Sequence, residues 1–389
     1  MVVVDKILSH GEVCPSKVAV YNRRVRKTYS MLCEDIKRVA SKLGALGVKK
    51  NQYVIVVSGN CYEYICAYFA IHLVGATSVS LPPDVDDTQR ALIIEKIKPS
   101  LIIEDSSIFI NDISLYPEIT TYNIESESVS EIVFTSGTTG DAKGVKLTHA
   151  GILSATKHII SQVKNNASDV ELLLMPLSHS FGMARMRTTL FVGGTLVLGY
   201  PLQRLKKVFE AIELYKVTGL GLVPSAWKFI TQMSKDMISK YSHQLRYIEF
   251  GSADFSPKDK KLVSTLFPRT HIVMHYGLTE VSRALFTDLH HDDHNAVGNL
   301  SMGASVIIVN EQGSRLANGE IGEIALKADW VTSGYFEDTQ LTNASFINNY
   351  FRTGDQGYLK DDYLYLTGRI KELINVGGKK VSPYRIEEL

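Results

Sequence analysis

The sequence predicts an α/β protein: a large N-terminal domain of doubly wound, mostly parallel sheets, an antiparallel β subdomain, and a small C-terminal domain almost entirely missing. Three observations carry this. The chain has 389 residues, more than the roughly 250–300 at which a single core stops growing and chains divide. From Tyr53 to about Gly277, short β-branched runs alternate with amphipathic stretches of helical length, the pattern of parallel βαβ units. After His290 the runs turn short and alternating, separated by Gly, Asn and Asp turn signals, as in antiparallel structure.

Taken in order, "YVIVVSG" from Tyr53 reads as a strand, "CYEYICAYFAIHLVGA" from Cys61 as a helix and "TSVSL" from Thr77 as the next strand. Glu131 to Phe134 forms another, and "GVKLT" follows, with Thr148 placed to cap a helix starting near His149. "ELLLMPL", "GTLVLGY", "VTGLGLVP", "LRYIEFG" and "HIVMHYG" supply later parallel strands; "GASVIIVN", "GEIALKA" and "YFRTGDQGYLKDDYLYLTGR" supply the antiparallel ones. The expected division is 1–370 as a large domain, mainly α/β over 1–290 and mainly β over 291–370, with 371–389 a hinge and the start of a further domain. The last residues, "VSPYRIEEL", read as an element just beginning, so the sequence is expected to be a fragment.

Composition narrows the function. At 45% apolar and 21% charged residues the chain groups with ordinary globular proteins. Its formal charge of +1 gives no bulk attraction for nucleic acid or an anionic membrane, which leaves small molecules as the default partners. Cys14, Cys33, Cys61 and Cys66 include no C-x-x-C pair, which fits a reduced, cytoplasmic setting. No basic leader with a long apolar core, and no run of about 18 uncharged apolar residues, predicts export or a membrane span.

"FTSGTTGDAKGV", from Phe134, follows one strand and precedes another. Such a loop can aim backbone N–H groups, the hydroxyls of Thr135, Ser136, Thr138 and Thr139, and the charge of Lys143 at one anion; by itself it serves equally as a hairpin connection. Gly140 and Gly144 do not give the G-x-x-x-x-G-K-[ST] spacing of the Walker loop, and no kinase H-R-D or D-F-G run occurs.

Four further stretches supply context: "PLSHSFG", "HYGLTE", "YFRTGD" and "GRIKELI". With "TSGTTGDAKGV" they resemble, in family order, the motifs of the AMP-forming adenylate ligases, the superfamily of acyl-CoA synthetases, firefly-luciferase-like enzymes and peptide-synthetase adenylation domains. The likeness spans about Ile7 to Leu389 and is closest to an acyl-CoA synthetase. It implies ATP-dependent activation of a small carboxylic acid to acyl-AMP, with Mg²⁺, followed by transfer to the thiol of coenzyme A or the phosphopantetheine of an acyl carrier protein; "NVGGKKVSP" favours coenzyme A.

The resemblance also assigns roles. Thr135, Ser136, Gly137, Thr138, Thr139, Gly140 and Lys143 would hold phosphates, and Glu280 would ligate Mg²⁺ with Thr279 beside it. Tyr276 and Gly277 would lie on the adenine, as would Gly251, Ser252 and Ala253 of the loosely matching "GSAD"; alone, this strand end would read as a core tyrosine and a solvated acid. Asp355 can accept from both ribose hydroxyls, joined by Arg369, although "RTGD" taken alone is also a plain turn. His179 would gate the acid tunnel, Lys371 would be the hinge, and Trp227, Phe250, Gly251 and His275 would border the acid.

"SHSFGMARM" lacks the aspartate with which amino-acid-activating members meet an α-ammonium, which favours a fatty or aryl acid. Arg185 and Arg187 read as solvent-exposed on their helix rather than pocket residues, and "HHDDH", His290 to His294, as a solvated loop rather than a metal site. Two departures stand out. Ala142 replaces a common proline, and the lysine that the family's mobile C-terminal domain brings to the α-phosphate has no counterpart, so adenylation is expected to be slow and thioester formation to fail. A non-catalytic nucleotide or acyl-AMP binder is the alternative.

Overall fold

The computed structural model describes residues 1–135 and 142–370, and the backbone of 374–376 and 379–381. Two sheets dominate. In the smaller, Leu101–Ile103, Tyr53–Val57, Thr77–Leu81 and Val129–Thr135 run parallel in that spatial order, and Lys143–Thr148 closes the edge as an antiparallel hairpin partner of Val129–Thr135. Thr148 ends the hairpin and starts a helix, His149–Val163, its side chain accepting from the Gly151 N–H at 3.1 Å.

The larger sheet has 14 strands among the described residues. Its parallel half runs from His271–Leu278 through Tyr247–Phe250, Gly219–Leu222, Val170–Leu172 and Thr195–Leu198 to Val18–Asn22, with Val25–Thr28 as an antiparallel edge. The N-terminal hairpin belongs to this sheet, which its sequence did not announce. On the other flank His271–Leu278 pairs antiparallel with Ser282–Asp288, and the sheet continues through Gly298–Asn299, Tyr363–Arg369, Tyr350–Lys360 and Gly322–Lys327 to Ser305–Val309. The change in pattern near His290 is therefore a change of pairing direction within one continuous sheet. His271–Leu278 is the strand at which pairing direction changes, and ligands of open α/β sheets collect outside the carboxyl ends of their parallel strands.

Between the sheets lies the main apolar core. The helix Tyr62–Leu73 is buried on every face except at Glu63, as befits a segment apolar all round. Ser180–Phe191 is likewise buried from Phe181 to Leu190 and carries Arg185 and Arg187 into the interior. Both arginines, read from sequence as exposed, are 0% and 4% exposed. No described helix is long and apolar enough to cross a membrane.

Candidate active site

A cleft of about 550 Å³ opens at the carboxyl end of His271–Leu278. Four elements bring sequence-predicted residues to it. The hairpin places Thr135 and Lys143 directly opposite each other on its wall. Gly277 and Leu278 end the strand His271–Leu278, and the single 3-10 turn after them, Thr279–Val281, presents Thr279 and Glu280. Gly354 and Arg369 come from the long antiparallel hairpin, and Ser252 and His275 from the ends of the parallel strands. Ser136, Gly137, Thr138, Thr139 and Gly140 lie outside the described residues, as does Lys371.

Each acid on or beside the wall has a defined partner. Glu280 Oε1 accepts from the Tyr335 hydroxyl at 2.9 Å, and the Glu280 carbonyl accepts from the Thr332 N–H at 2.7 Å. Burial, then the Glu280 charge, pushes the Tyr335 hydroxyl upward, so it stays a proton donor. Glu323 is held by Arg352 and by the Gly354 N–H at 3.1 Å. Asp355, 4% exposed, accepts from the Tyr276 hydroxyl at 2.7 Å and lies 3.0 Å from Arg369 Nε. Among the described acids lining the cleft, Glu280 alone stands in no ion pair within 4 Å. One carboxylate on the wall of this cleft suits Mg²⁺, which usually takes one or two carboxylates and completes its shell with substrate phosphate and water.

Several expected residues stand elsewhere. Trp227 and Phe250 do not line the cleft: they are 1% and 0% exposed and meet edge to face at 5.9 Å in the core on the far side of the sheet. Alternation explains it. In Tyr247–Phe250, Ile248 and Phe250 point toward the Trp227 helix, whereas Tyr247 and Glu249 point toward Arg185 and the cleft. His179 is exposed at the cap position of its helix and makes no capping bond; Ser180 and Phe181, one and two residues on, line the cleft instead. The Tyr276 ring is buried with the antiparallel core and reaches the site through its hydroxyl only. Ala253 sits exposed on the turn, off the wall. Gly251 has a steric reason to be glycine: a Cβ there would lie 2.1 Å from the His275 ring.

Behind Ser252, His275 and Arg283 lies a buried polar cluster that sequence reasoning missed. Arg185 donates to Glu171 at 2.7 Å and to Glu249 at 2.9 Å, and the Tyr247 hydroxyl donates to Glu171 at 2.7 Å. Arg283 Nε donates to Glu249 at 3.0 Å, and His275 Nδ1 is 2.7 Å from the same oxygen. Burial alone would raise the Glu249 carboxyl; Arg283, Arg185 and His275 more than offset it and hold it well below the usual range. Burial lowers His275 and keeps its imidazole neutral near pH 7. Arg187 forms a second buried pair with Glu131 at 2.9 Å, joined by the Tyr68 hydroxyl. The stretch His290 to His294 is tied down: Asp292 accepts from Tyr363 and Asp293 from Tyr365, and the described residues hold no cluster fit for a metal.

The sequence pattern of the family described as AMP-binding enzyme matches residues 9–336, most of the chain. The chain belongs to the AMP-binding enzyme family. Among curated relatives of this AMP-binding enzyme, a probable CoA ligase of Humulus lupulus is 25% identical over 403 residues, covering 93% of this chain and 73% of its own. A D-alanine–D-alanyl carrier protein ligase of Streptococcus agalactiae is 29% identical over 391 residues, covering 92% and 75%. The o-succinylbenzoate CoA synthetase of Bacillus subtilis, solved with its acyl-adenylate intermediate, superimposes with a TM-score of 0.88 at 21% identity, covering 98% of this chain and 81% of that one. ATP-bound MatB of Rhodopseudomonas palustris gives 0.88 at 22%, covering 100% and 83%. These structures share the fold, and the resemblance drawn from the motifs to AMP-forming, acyl-CoA-synthetase-like ligases holds.

Proposed function

We propose that this cleft binds ATP and a carboxylic acid and joins them as acyl-AMP, with a thiol as the later acceptor. The observation carrying this reading is the convergence on one cleft of Thr135 with Lys143, Thr279 with Glu280, and Arg369 beside Asp355, three sets far apart in sequence.

Bringing a carboxylate to the α-phosphorus sets two anions together, so the site must cancel charge and fix the approach. Lys143 would face the phosphates and Arg369 would steady Asp355 against the ribose hydroxyls. Thr279 would donate its hydroxyl to phosphate. Glu280, aligned by Tyr335, would hold Mg²⁺, which when bound supplies a charge that screens the phosphate oxygens. A carboxylate oxygen then forms the bond to the α-phosphorus while its bond to the bridging oxygen breaks, and pyrophosphate leaves with that electron pair. Ser180, Ser252, His275 and Gly251 would border the acid. Residues 1–370 would form the adenylating body and 371–389, with Lys371, the beginning of the hinge segment.

Coenzyme A is the favoured acceptor, in line with the CoA ligases among the relatives. The 29% identity to a carrier-protein ligase supports phosphopantetheine as the second reading. Asp355→Ala tests the nucleotide half: calorimetric affinity for ATP should fall at least roughly tenfold, as loss of hydrogen bonds to a charged group implies. Unchanged affinity would remove Asp355 from the site.

A further inference from the structure

The acid end of the cleft has a chemical character of its own. Resting on the reading of this cleft as an acid-activating site, we propose that it takes a short acid bearing a second carboxylate, and that Arg283 is the residue which recognises that carboxylate.

The length limit comes from what fills the space behind the wall. A long apolar acid would need to pass between the helix Ser180–Phe191 and the strands beneath it. That volume holds Arg185, Glu171, Glu249 and Tyr247, each 0% exposed. Arg185 also packs its methylenes over Gly221, where an added Cβ would meet Arg185 Cγ at 3.3 Å and the Phe181 ring at 3.4 Å. A buried CH₂ gains only about 0.8 kcal/mol, whereas separating a buried ion pair costs several times that. An alkyl tail therefore gains too little to displace the cluster.

The second carboxylate follows from the donors of Arg283. The residue is 3% exposed yet reaches the cleft wall. A guanidinium has five N–H donors. Here Nε–H goes to Glu249 at 3.0 Å, one Nη1–H to the Ser180 carbonyl at 3.5 Å and one Nη2–H to the Phe181 carbonyl at 3.2 Å. That leaves one N–H on each terminal nitrogen for a further charged acceptor. Glu249, its acidic partner among the described residues, is shared with Arg185 and His275, so the positive charge of Arg283 is only partly answered. Burial and the nearby arginines Arg185 and Arg187 hold Arg283 below an ordinary guanidinium even against Glu249, the sign of a site that an added anion would relieve. Ser180 and Ser252 add hydroxyls to this wall beside His275 and the Phe181 ring, which lies 4.8 Å from the Arg283 guanidinium carbon. This departs from the fatty or aryl acid that the motif around His179 favoured.

The test is a competition on the 389-residue chain with Mg²⁺ and ATP present. Succinate and glutarate are compared with butyrate and valerate, with octanoate as the long apolar acid, by calorimetric affinity and by acid-dependent exchange of labelled pyrophosphate into ATP. Each diacid should bind at least roughly tenfold more tightly than the monoacid of equal length, the low end for hydrogen bonds to a charged group, and octanoate should be the weakest. Arg283→Gln should bring the ratio near unity and Arg283→Lys should keep part of it, with ATP affinity and the melting curve reporting whether each variant folds. The comparison on the unaltered chain stands even if both variants unfold. A monoacid or octanoate bound as well as the diacids, or a ratio untouched in folded Arg283→Gln, overturns this inference while ATP binding persists. Absence of ATP binding overturns instead the proposed function beneath it.

Discussion

Replacing Arg185 by methionine removes the one cation that touches both buried acids of the inner cluster. Glu249 would keep Arg283 at 3.0 Å, so its charge stays compensated. Glu171 would keep only the hydroxyls of Tyr247 and Thr189, each at 2.7 Å, and would become a buried carboxylate with no cation. One orphaned buried charge costs about 3–5 kcal/mol, a large share of a typical stability of roughly 5–15 kcal/mol. Urea unfolding at pH 7, followed by circular dichroism, should show a loss of that size in Arg185→Met. Adding Glu171→Gln removes the orphaned charge and should restore stability by a coupling at the upper end of the roughly 0.5–3 kcal/mol seen for contacting residues. A loss below about 1 kcal/mol, ordinary for any single substitution, or a double variant no better than the single, would refute the argument that the cluster is held by charge compensation.

Three other outcomes follow from the structure. His149 is buried and His158 half-buried, and desolvation is the first cause lowering both imidazoles to about 4. The unfolded chain therefore takes up protons that the folded chain refuses, and stability should fall from pH 6.5 toward pH 4 by about 1.4 kcal/mol per unit for each histidine; urea midpoints equal at pH 7 and pH 5 would contradict this. Tyr335→Phe removes the hydroxyl that aligns Glu280, and the Mg²⁺ concentration for half-maximal pyrophosphate exchange should rise roughly tenfold or more while the melting curve shifts little; no change in the Mg²⁺ requirement would separate Tyr335 from the metal. Gly251→Ala forces a methyl to within 2.1 Å of the His275 ring, so acid affinity should drop with ATP affinity largely kept, and unaltered acid affinity would show that the ring can move aside at no cost.

The motifs made the nucleotide side of the cleft legible because each lies on a strand bordering it: "HYGLTE" and the flanks of "FTSGTTGDAKGV" at strand ends and "YFRTGD" at the start of Tyr350–Lys360 name residues whose backbone position brings them to the site. The acid side was less legible, for a reason visible in one strand. "YIEF" is apolar but for one glutamate and buried throughout, yet its period of two sends Phe250 to the core and Glu249 to the cleft side, and no motif tells which face is which. A signal did exist for the buried cluster. Glu131, Glu171 and Glu249 each stand alone in a strand apolar enough to be buried, and a buried acid requires a cation. Arg185, Arg187 and Arg283 are those cations, so pairing lone acids with lone bases would have placed both helix arginines inside. Tyr335, by contrast, approaches Glu280 from 55 residues away, across a connection with no local pattern.

Acid-dependent exchange of labelled pyrophosphate into Mg²⁺-ATP, measured on this chain and on Glu280→Gln, decides whether this cleft forms acyl-AMP. Exchange that requires a carboxylic acid and is lost in the variant is the predicted result. An unaltered chain that binds ATP yet shows the same exchange with and without every acid tried, or a Glu280→Gln variant that exchanges as fast, would contradict it.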